Sequence, residues 1–170
     1  MIEKGKISQE PFIEILKTLE EAESANLVDW NAMNIASVDQ TSQPSSRMVL
    51  LKKISDDGLV FYTNYNSRKG KEIELNPKVA VNFWWRELKK QIRVEGFIEK
   101  ASEEDSDDYF NSRPLKSRVS AIISNQSSKI SSYEDLTNQI DNYLEQNDES
   151  SIKRPDHCGL YIVIPNAVEF

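Results

Sequence analysis

The segment Asn64–Lys71 contains the residues whose types and spacing are most informative about chemistry. It offers Asn66 or Ser67 as a helix N-cap and leads into a short helix that Pro77 ends. The first turn of this helix carries three bases, Arg68, Lys69 and Lys71. The amino terminus of a helix favours negative charge, so a bound anion would turn this unfavourable placement into an attraction. The alternative is that these side chains only extend into water.

Basic residues are concentrated in the middle of the chain. Between Arg47 and Arg93 there are eleven lysines and arginines against five acidic residues, a local charge of +6 in a chain of formal charge −7. The overall acidity argues against a general nucleic-acid binder, whose surface would be basic. It would hardly disfavour a small phosphate ester held in a pocket. The distribution therefore favours a compact anionic ligand, the alternative being a charged face that is only solvated.

The rest of the composition limits the chemistry that the chain can perform. Cys158 is the only cysteine and His157 the only histidine, which excludes a disulfide framework and a cysteine-rich or histidine-rich metal site. A Ser-His-Asp triad is disfavoured for the same reason, and we expect both residues to be structural. An enzyme of this composition would rely on a bound organic cofactor for its difficult chemistry.

Length and hydropathy predict a single cytoplasmic domain. The chain has 170 residues, of which 38% are apolar, so a dimer that shares its core would help to bury enough surface. No apolar run approaches the roughly 18 to 20 residues needed to cross a bilayer. The first residues also lack the apolar stretch of a signal peptide.

Strands are the main elements expected to position the basic residues. Six short runs are rich in β-branched and aromatic residues and bounded by turn residues: 32–38, 46–54, 58–63, 79–85, 91–100 and 159–164. Asp57-Gly58 predicts a tight hairpin, and Gly96 predicts a bulge. Because the first five runs follow one another without a long helical pattern, we expect a mostly antiparallel sheet that closes into a barrel.

Helical spacing flanks these strands. It predicts an amphipathic helix over residues 10–24, a helix opened by Ser102 and Asp105 and ended by Pro114, a helix over 115–124, and a fourth opened by Ser132 and Asp135. Pro165-Asn166 is expected to turn the chain into its last four residues. Because the sequence stops on an apolar strand residue just after this turn, we expect that further residues complete the sheet.

Six motifs in this order, with this spacing, resemble the pyridoxamine 5'-phosphate oxidase family. They are Arg47–Lys52 (RMVLLK), Phe61–Asn64 (FYTN), Ser67–Lys69 (SRK), Gln91–Gly96 (QIRVEG), Tyr109–Pro114 (YFNSRP) and Gln126-Ser127. The resemblance spans about residues 29–130 and is weaker towards the end of the chain. No single motif is decisive, and the strength of the resemblance lies in their number and order.

The resemblance implies an α+β, mainly β protein built as an antiparallel six-stranded split barrel that binds flavin mononucleotide (FMN) at the interface of a homodimer. Its single domain would consist of an N-terminal helix (1–28), barrel strands (29–101), a helical segment (102–150) and the last strands (155–170). The implied reaction, a step of vitamin B6 metabolism, converts pyridoxamine or pyridoxine 5'-phosphate to pyridoxal 5'-phosphate. A hydride passes to the flavin, and dioxygen reoxidises it to give hydrogen peroxide.

Two sets of residues follow from the matching positions. The implied flavin site comprises Arg47, Met48, Val49, Leu50, Leu51, Lys52, Tyr62, Thr63, Arg68, Lys69, Gln91, Gln126 and Ser127. The implied contacts to the substrate are Lys52, Tyr109, Arg113 and Ser117. No catalytic acid or base is assigned. Two phosphates, one on the flavin and one on the substrate, would agree with the concentration of basic residues.

Simpler alternatives exist for most of these positions. Met48–Leu51 would be apolar in any barrel strand and are expected to be mainly core, while Tyr62 and Thr63 suit a strand without a ligand. Gln126-Ser127 could merely cap or turn the chain.

The implied substrate contacts have a structural alternative as well. Arg113-Pro114 could act only as a helix stop. Tyr109, Arg113 and Ser117 are spaced four apart, so they would align if the helical path continued past the proline.

Other conspicuous residues favour structural interpretations. Trp84 and Trp85 are adjacent, so on a strand one faces the core and the other the opposite side, where core or dimer packing is favoured over flavin stacking. The acidic residues at 103–108 favour a solvated helix start over a metal site.

If the protein consists of these 170 residues, we expect it to lack two features of the family, the basic amino-terminal segment and the tryptophan-containing carboxyl-terminal segment with its arginine and histidine substrate contacts. Two other functions therefore stay open. One is a split-barrel flavin oxidoreductase acting on another compound. The other is a protein that binds flavin or pyridoxal phosphate without turnover.

Overall fold

The computed structural model describes residues 2–170, which form strands and flanking helices. The strands are β1 (Glu3–Lys4), β2 (Ala32–Val38), β3 (Pro44–Ser55), β4 (Gly58–Asn64), β5 (Lys78–Trp85), β6 (Lys90–Lys100) and β7 (Cys158–Glu169). The helices are α1 (Glu10–Ser24), α2 (Arg68–Leu75), α3 (Glu103–Ser112), α4 (Leu115–Ile123) and α5 (Tyr133–Gln146), followed by one 3-10 turn at Glu149–Ser151. None of the helices in this range combines the length and apolar character needed to span a membrane.

The described residues divide into two compact units. The first comprises residues 2–62, 72–100 and 161–170, and it contains α1 and most of the sheet. The second comprises residues 63–71 and 101–160, and it contains α3, α4 and α5. Helix α2 begins in the second unit and ends in the first.

Six antiparallel strands close into a barrel, which confirms the predicted fold class. Their order is β3-β2-β5-β6-β7-β4, and an additional pairing between β3 and β4 joins the two ends. Closure leaves neither end of this six-stranded series as a free edge. The two-residue strand β1 runs parallel to β3, a pairing that the sequence did not predict.

Alternation along the strands fills the barrel interior. In β6, Ile92, Val94 and Ile98 are buried, whereas the neighbouring Arg93 and Glu95 are exposed, as the period-two pattern predicts. Helix α1 has the predicted bounds, and its buried face consists of Phe12, Ile15, Thr18, Leu19 and Ala22. In β6 and α1 the apolar pattern of the sequence thus correctly predicted which face is buried.

The predicted hairpin and the predicted bulge are both present. Ser55 of β3 pairs with Gly58 of β4, so the two-residue loop is Asp56-Asp57, one residue earlier than the predicted Asp57-Gly58. Gly58 has φ of +141°, a conformation that favours glycine. On β6 the register of the pairing with β7 shifts between Glu95 and Gly96.

The predicted turn at Pro165-Asn166 is wrong, because β7 continues through both residues to Glu169. Pro165 pairs with Gly96 and Ala167 pairs with Glu95, so Asn166 is the extra residue of the bulge. A bulge accommodates a proline within a sheet because the ladder is already interrupted there. A Cβ atom on Gly96 would lie 2.1 Å from the Ile164 carbonyl oxygen, which explains the glycine.

Helix caps and the helix end before Pro114 both follow the sequence. Ser102 Oγ accepts a hydrogen bond from Asp105 N at 3.0 Å, and Ser132 Oγ accepts one from Asp135 N at 2.9 Å. Helix α3 ends before Arg113, whose φ of −78° and ψ of 149° are extended. The helical path that would have aligned the three substrate residues is therefore interrupted, because proline disfavours a helical residue before it.

The acidic start of α3 is more than a solvated surface. Asp107 Oδ1 accepts a hydrogen bond from Arg154 Nε at 2.7 Å, and Glu103 also pairs with the Arg154 guanidinium. The Arg154 side chain is only 5% exposed. These two carboxylates therefore compensate a largely buried charge, which the sequence pattern did not indicate.

Asp56 in the hairpin loop holds the chain just before α1. Its carboxylate accepts hydrogen bonds from Ser8 Oγ at 2.5 Å, from Ser8 N at 2.9 Å and from Gln9 N at 3.0 Å. These hydrogen bonds, the one from the Ser8 hydroxyl first, hold the pKa of Asp56 below its usual value. The ionised form of Asp56 therefore stabilises the folded state.

Asp56→Asn should lower the melting temperature at pH 7, because the amide accepts these hydrogen bonds more weakly. A depressed pKa in the folded state means that the stabilisation is complete above the unfolded value of about 3.8 and is lost as the pH falls through the folded value. Thermal unfolding of both proteins from pH 7 downwards should thus show a difference that shrinks in acid. Glu87→Gln, at an exposed turn position, is the control, and a difference that stays constant with pH would contradict this account.

Candidate functional site

The buried ammonium of Lys69 is the centre of a hydrogen-bonded cluster in the second unit. Lys69 is 7% exposed, although it lies in the first turn of α2. Its Nζ donates to Thr63 Oγ1 at 2.8 Å, to Ser67 Oγ at 3.1 Å and to Gln126 Oε1 at 2.6 Å. These oxygens have no formal charge, so they satisfy donors of the ammonium without themselves neutralising it.

Five residues that the resemblance assigns to the flavin meet in this cluster: Thr63, Arg68, Lys69, Gln126 and Ser127. Besides the contacts of Lys69, the backbone N–H of Arg68 donates to Ser127 Oγ at 3.1 Å. Ser127 has φ of 69°, in the left-handed region, so its position is set by the surrounding structure rather than by its own preference. Gln126-Ser127 thus do more than turn the chain, since both bind the start of α2.

Local sequence explains why α2 begins where it does. Ser67 is the N-cap, because its Oγ accepts a hydrogen bond from Gly70 N at 3.3 Å and donates to Asn64 O at 2.7 Å. A Cβ atom on Gly70 would lie 1.9 Å from the Tyr65 carbonyl oxygen, so glycine is required for this close approach. Of the two predicted N-caps, Asn66 and Ser67, the structure selects Ser67.

The start of α2 is suited to an anion. Its first turn contains no acidic residue, and the side chains of Arg68 and Lys71 are exposed. The partial positive charge of the helix terminus and these cations act in the same direction. Chemically, this arrangement can attract and orient a phosphate group.

The first unit contains the remaining residues assigned to the flavin. Arg47 lies on β3 with a side chain that is 21% exposed, and its Nη2 is 3.1 Å from Glu72 Oε2. Glu72 was not singled out from the sequence, which offers no local indication of its burial. Its hydrogen-bond partners Ser37 and Ser45 are 35 and 27 residues away in the chain.

Strand β3 presents its apolar residues on two faces. Leu51 is fully buried and Val49 is half-buried, but Met48 is 61% and Leu50 is 40% exposed. The expectation that Met48–Leu51 are mainly core is therefore wrong for Met48 and Leu50. Their exposure follows from strand alternation, which places them on the outer face of the barrel.

Lys52 occupies a bulge. Leu51 pairs with Phe61 of β4 and Lys53 pairs with Val60, so Lys52 is the extra residue on β3. Bulges redirect a side chain away from the regular alternation, and they are frequent next to functional sites. This geometry is compatible with the two roles, towards flavin and substrate, that the resemblance implies for Lys52.

An exposed face of the barrel combines apolar and polar residues. Trp84 is 57% exposed and lies directly opposite Gln91, while Asn34 pairs with both Met48 and Asn82. We define the outer sheet face by Met48, Leu50, Trp84 and Gln91.

Trp85 points inward, is 4% exposed and donates from Nε1 to Trp30 O at 2.7 Å, so the two tryptophans face opposite sides as predicted. Tyr62 lies half-buried on β4.

The residues assigned to the substrate are distributed over both units. Lys52 belongs to the first unit, whereas Tyr109, Arg113 and Ser117 belong to the second, at the junction of α3 and α4. Burial raises the pKa of Tyr109, and the positive charge of Arg113 opposes this shift, which places the two groups within electrostatic reach. Tyr109 therefore keeps its hydroxyl proton at neutral pH and can donate a hydrogen bond.

The histidine and the cysteine have structural contacts. Cys158 is buried, and its Sγ donates to Ala121 O at 3.7 Å, while His157 O accepts a hydrogen bond from Tyr65 N at 2.6 Å. Across residues 2–170, the His, Cys, Asp and Glu side chains form no group of three or more that could hold a metal ion.

Comparison with known proteins gives consistent family names. Residues 19–144 match the family model described as pyridoxamine 5'-phosphate oxidase. A protein of Nostoc sp. named pyridoxine/pyridoxamine 5'-phosphate oxidase is 47% identical over 165 residues, which is 97% of this chain and 77% of the relative. A relative from Hydrogenovibrio crunogenus, named pyridoxine/pyridoxamine 5'-phosphate oxidase 2, is 40% identical over 169 residues, 99% of this chain and 79% of the relative.

Solved structures share the fold. PhzG from Burkholderia lata, in complex with tetrahydrophenazine-1-carboxylic acid, has a TM-score of 0.88 and 25% identity, covering 95% of this chain and 79% of that one. A pyridoxamine 5'-phosphate oxidase-related, FMN-binding protein from Nostoc punctiforme has a TM-score of 0.75 and 19% identity, covering 95% and 84%. At this identity the second likeness shows the split-barrel fold alone.

The contact between Lys69 and Gln126 should be measurable as a coupling free energy. Gln126→Ala removes one acceptor of a buried ammonium, so we expect it to lower the free energy of unfolding by about 1 kcal/mol. In a Lys69→Met background we expect Gln126→Ala to leave the free energy of unfolding almost unchanged, because no ammonium is left unsatisfied. Urea unfolding of the two single variants and the double variant measures this difference.

Asn125→Ala is the matched control, since it truncates the exposed neighbouring amide. If Gln126→Ala lowers the free energy of unfolding equally with and without Lys69, the hydrogen bond between Lys69 and Gln126 does not hold the loop to α2.

Proposed function

The chain belongs to the pyridoxamine 5'-phosphate oxidase family, and we propose that it oxidises pyridoxamine or pyridoxine 5'-phosphate to pyridoxal 5'-phosphate with FMN as cofactor and dioxygen as acceptor. The observation that carries the proposal is the cluster at the start of α2. Five residues assigned to the flavin, from three separate segments, meet there around one buried ammonium. A structural role alone would not require a further arginine and lysine in the same helical turn.

The residues present fit the phosphate of FMN. A phosphate needs cations and N–H donors, and the start of α2 supplies the charges of Arg68 and Lys69 beside a positive helix end. In the proposal Thr63, Arg68, Lys69, Gln126 and Ser127 bind the flavin at the start of α2. Arg47–Lys52, Tyr62 and Gln91 are the other residues that the resemblance assigns to the flavin. FMN, when bound, supplies an acceptor for the hydride of the substrate carbon and a route for its electrons to dioxygen.

The protein's own groups are proposed to bind and orient rather than to exchange protons. Arg113 offers a planar fork to the substrate phosphate, and the half-buried Tyr109 donates its hydroxyl proton. Ser117 and Lys52 complete this set. Holding two rings at reacting distance lowers the entropic part of the barrier, which is the main contribution we assign to the protein. Ammonia is a further product when the amine is the substrate.

We also propose that the protein works as a homodimer, with the flavin at the interface and a second copy covering the outer sheet face. Met48 and Trp84 expose 61% and 57% of their surface there, and Leu50 exposes 40%. Exposed aromatic and aliphatic residues on one face are typical of protein interfaces. A low apolar content would make such shared burial more valuable.

A second candidate is a flavin oxidoreductase that acts on another compound. The likeness to PhzG supports it, because that structure has a TM-score of 0.88 and is a complex with tetrahydrophenazine-1-carboxylic acid. The charge of Arg113 suits a phosphate ester and a carboxylate alike, so turnover of pyridoxine 5'-phosphate compared with other donors must distinguish the two candidates. A flavin-binding or pyridoxal-phosphate-binding protein without turnover is the third possibility.

The experiment that tests the function combines a spectrum with a product assay. The purified protein, of confirmed intact mass and measured oligomeric state, should be a dimer with the absorption bands of bound FMN. Pyridoxine 5'-phosphate should then release hydrogen peroxide. A yellow protein without product would favour a binding protein, turnover with other donors would favour the second candidate, and no flavin uptake at saturating FMN would refute the proposal.

Variants should separate the two phosphate sites. Lys69→Ala removes a positive charge and the hydrogen bonds that hold Thr63 and Gln126 at the start of α2. FMN affinity should therefore fall by about 1.5–3 kcal/mol, or roughly ten- to a hundredfold. Arg113→Ala should raise the Michaelis constant for the substrate and leave the flavin bound. Fluorescence titration with FMN and steady-state kinetics measure these effects.

Lys78→Ala is the control, because it removes the same charge from an exposed position outside the start of α2. Loss of flavin from Arg113→Ala would mean that Arg113 belongs to the flavin site and that the two phosphate sites have been assigned the wrong way round. Unchanged FMN affinity in Lys69→Ala would contradict the assignment of Lys69 to the FMN phosphate.

A further inference from the structure

A buried carboxylate holds the guanidinium of Arg47 in the first unit. The Glu72 side chain is 4% exposed, and its Oε2 accepts hydrogen bonds from Ser37 Oγ at 2.6 Å, Ser45 Oγ at 2.7 Å and Arg47 Nη2 at 3.1 Å. Arg47 Nη1 donates to Ser37 Oγ at 2.5 Å and to Ile35 O at 3.4 Å, and Nη2 also donates to Ser45 Oγ. The two serine hydroxyls therefore bridge the acid and the base.

This network fixes the direction in which Arg47 can bind a further group. The four N–H bonds of its two Nη atoms are matched by four acceptors, from Ile35, Ser37, Ser45 and Glu72. Among the described residues, Nε is the one guanidinium nitrogen of Arg47 that makes no hydrogen bond. A ligand that approaches this guanidinium as it stands is thus met by a single oriented N–H and by the charge.

Stability alone is a weak reason for such a network. Removing a carboxylate from water is costly, and buried ion pairs can often be replaced by apolar residues without loss of stability. What the pair does provide is a defined geometry for a long side chain that would otherwise sample many rotamers. Orienting a binding group in advance reduces the entropy that a ligand must overcome.

We propose that Glu72 is a positioning residue for the flavin phosphate, acting through Arg47. The inference rests on the proposed function, because it takes Arg47 as a phosphate contact. Glu72 orients the guanidinium, while the hydroxyls of Ser37 and Ser45 donate to its carboxylate and disperse its negative charge. Orientation of Arg47 by Glu72 would raise the affinity for FMN, whereas direct repulsion between the Glu72 carboxylate and the phosphate would lower it. An experiment can therefore tell which effect dominates.

The test compares FMN with riboflavin, which lacks the phosphate. The ratio of the riboflavin dissociation constant to the FMN dissociation constant measures how strongly the protein binds the phosphate. In Glu72→Gln this ratio should fall by about tenfold, the effect of losing one well-oriented charged contact. Riboflavin affinity itself should stay unchanged. Glu74→Gln, which removes the same charge from an exposed position of α2, should leave the ratio as in wild type.

Each other outcome overturns the inference. An unchanged ratio in Glu72→Gln would make Glu72 purely structural, and a higher ratio would make it a repulsive charge. Equal weakening of FMN and riboflavin would indicate a general distortion. A wild-type ratio near one would overturn the proposed flavin site and this inference with it, whereas a large wild-type ratio that survives Glu72→Gln overturns the inference alone.

A second variant keeps the test decisive if Glu72→Gln does not fold. Ser45→Ala removes one bridging hydroxyl at a half-buried position, and it should lower the ratio in the same direction by a smaller factor. Ser46→Ala, at the exposed neighbouring position of β3, is its control. Melting temperatures of the flavin-free proteins establish that each variant is folded, and a ratio unaffected by Ser45→Ala would count against the network.

Discussion

A lysine ammonium that is removed from water must be surrounded by oxygen atoms, and this constraint organises the proposed cofactor site. Lys69 meets it with acceptors from the end of β4, from the cap of α2 and from a loop 57 residues further along the chain. Each of these segments is thereby fixed relative to the start of α2. The same contacts that stabilise the charge also bring together the residues assigned to the flavin.

Lys69 and Arg47 illustrate two ways of holding a cation. The hydrogen-bond acceptors seen around Lys69 are neutral side-chain oxygens, which satisfy its donors. Arg47 is bound by a carboxylate as well as by hydroxyls, so its charge is partly compensated and its orientation is fixed. Charge and direction are separate requirements of phosphate recognition, and the proposed site would meet both through Lys69 and Arg47.

The barrel itself does not decide the substrate. Structures of the same fold include one in complex with tetrahydrophenazine-1-carboxylic acid and one described as FMN-binding. Function resides in the side chains that a fold presents. In the proposed function those are the cations at the start of α2 and the Tyr109 and Arg113 groups at the junction of α3 and α4. They favour an anionic substrate, such as a phosphate ester.

Much of the fold could be predicted from the sequence, because periodicity, caps and turn residues act locally. Alternating apolar residues predicted the buried face of β6, Ser102 and Ser132 predicted the starts of two helices, and Gly96 predicted the bulge. Ordered motifs gave the family, and the cluster around Lys69 unites several of the residues that they indicate.

Only the tertiary structure decided the rest. The passage of β7 through Pro165 depends on a bulge opposite another strand, and the exposure of Met48 and Leu50 depends on which face of the barrel is buried. Glu72 is one acidic residue among many in the sequence, and its burial beside Arg47 arises from partners on distant strands. Local patterns report what neighbouring residues prefer, whereas the pairing of buried charges is set by chain segments that meet only after folding.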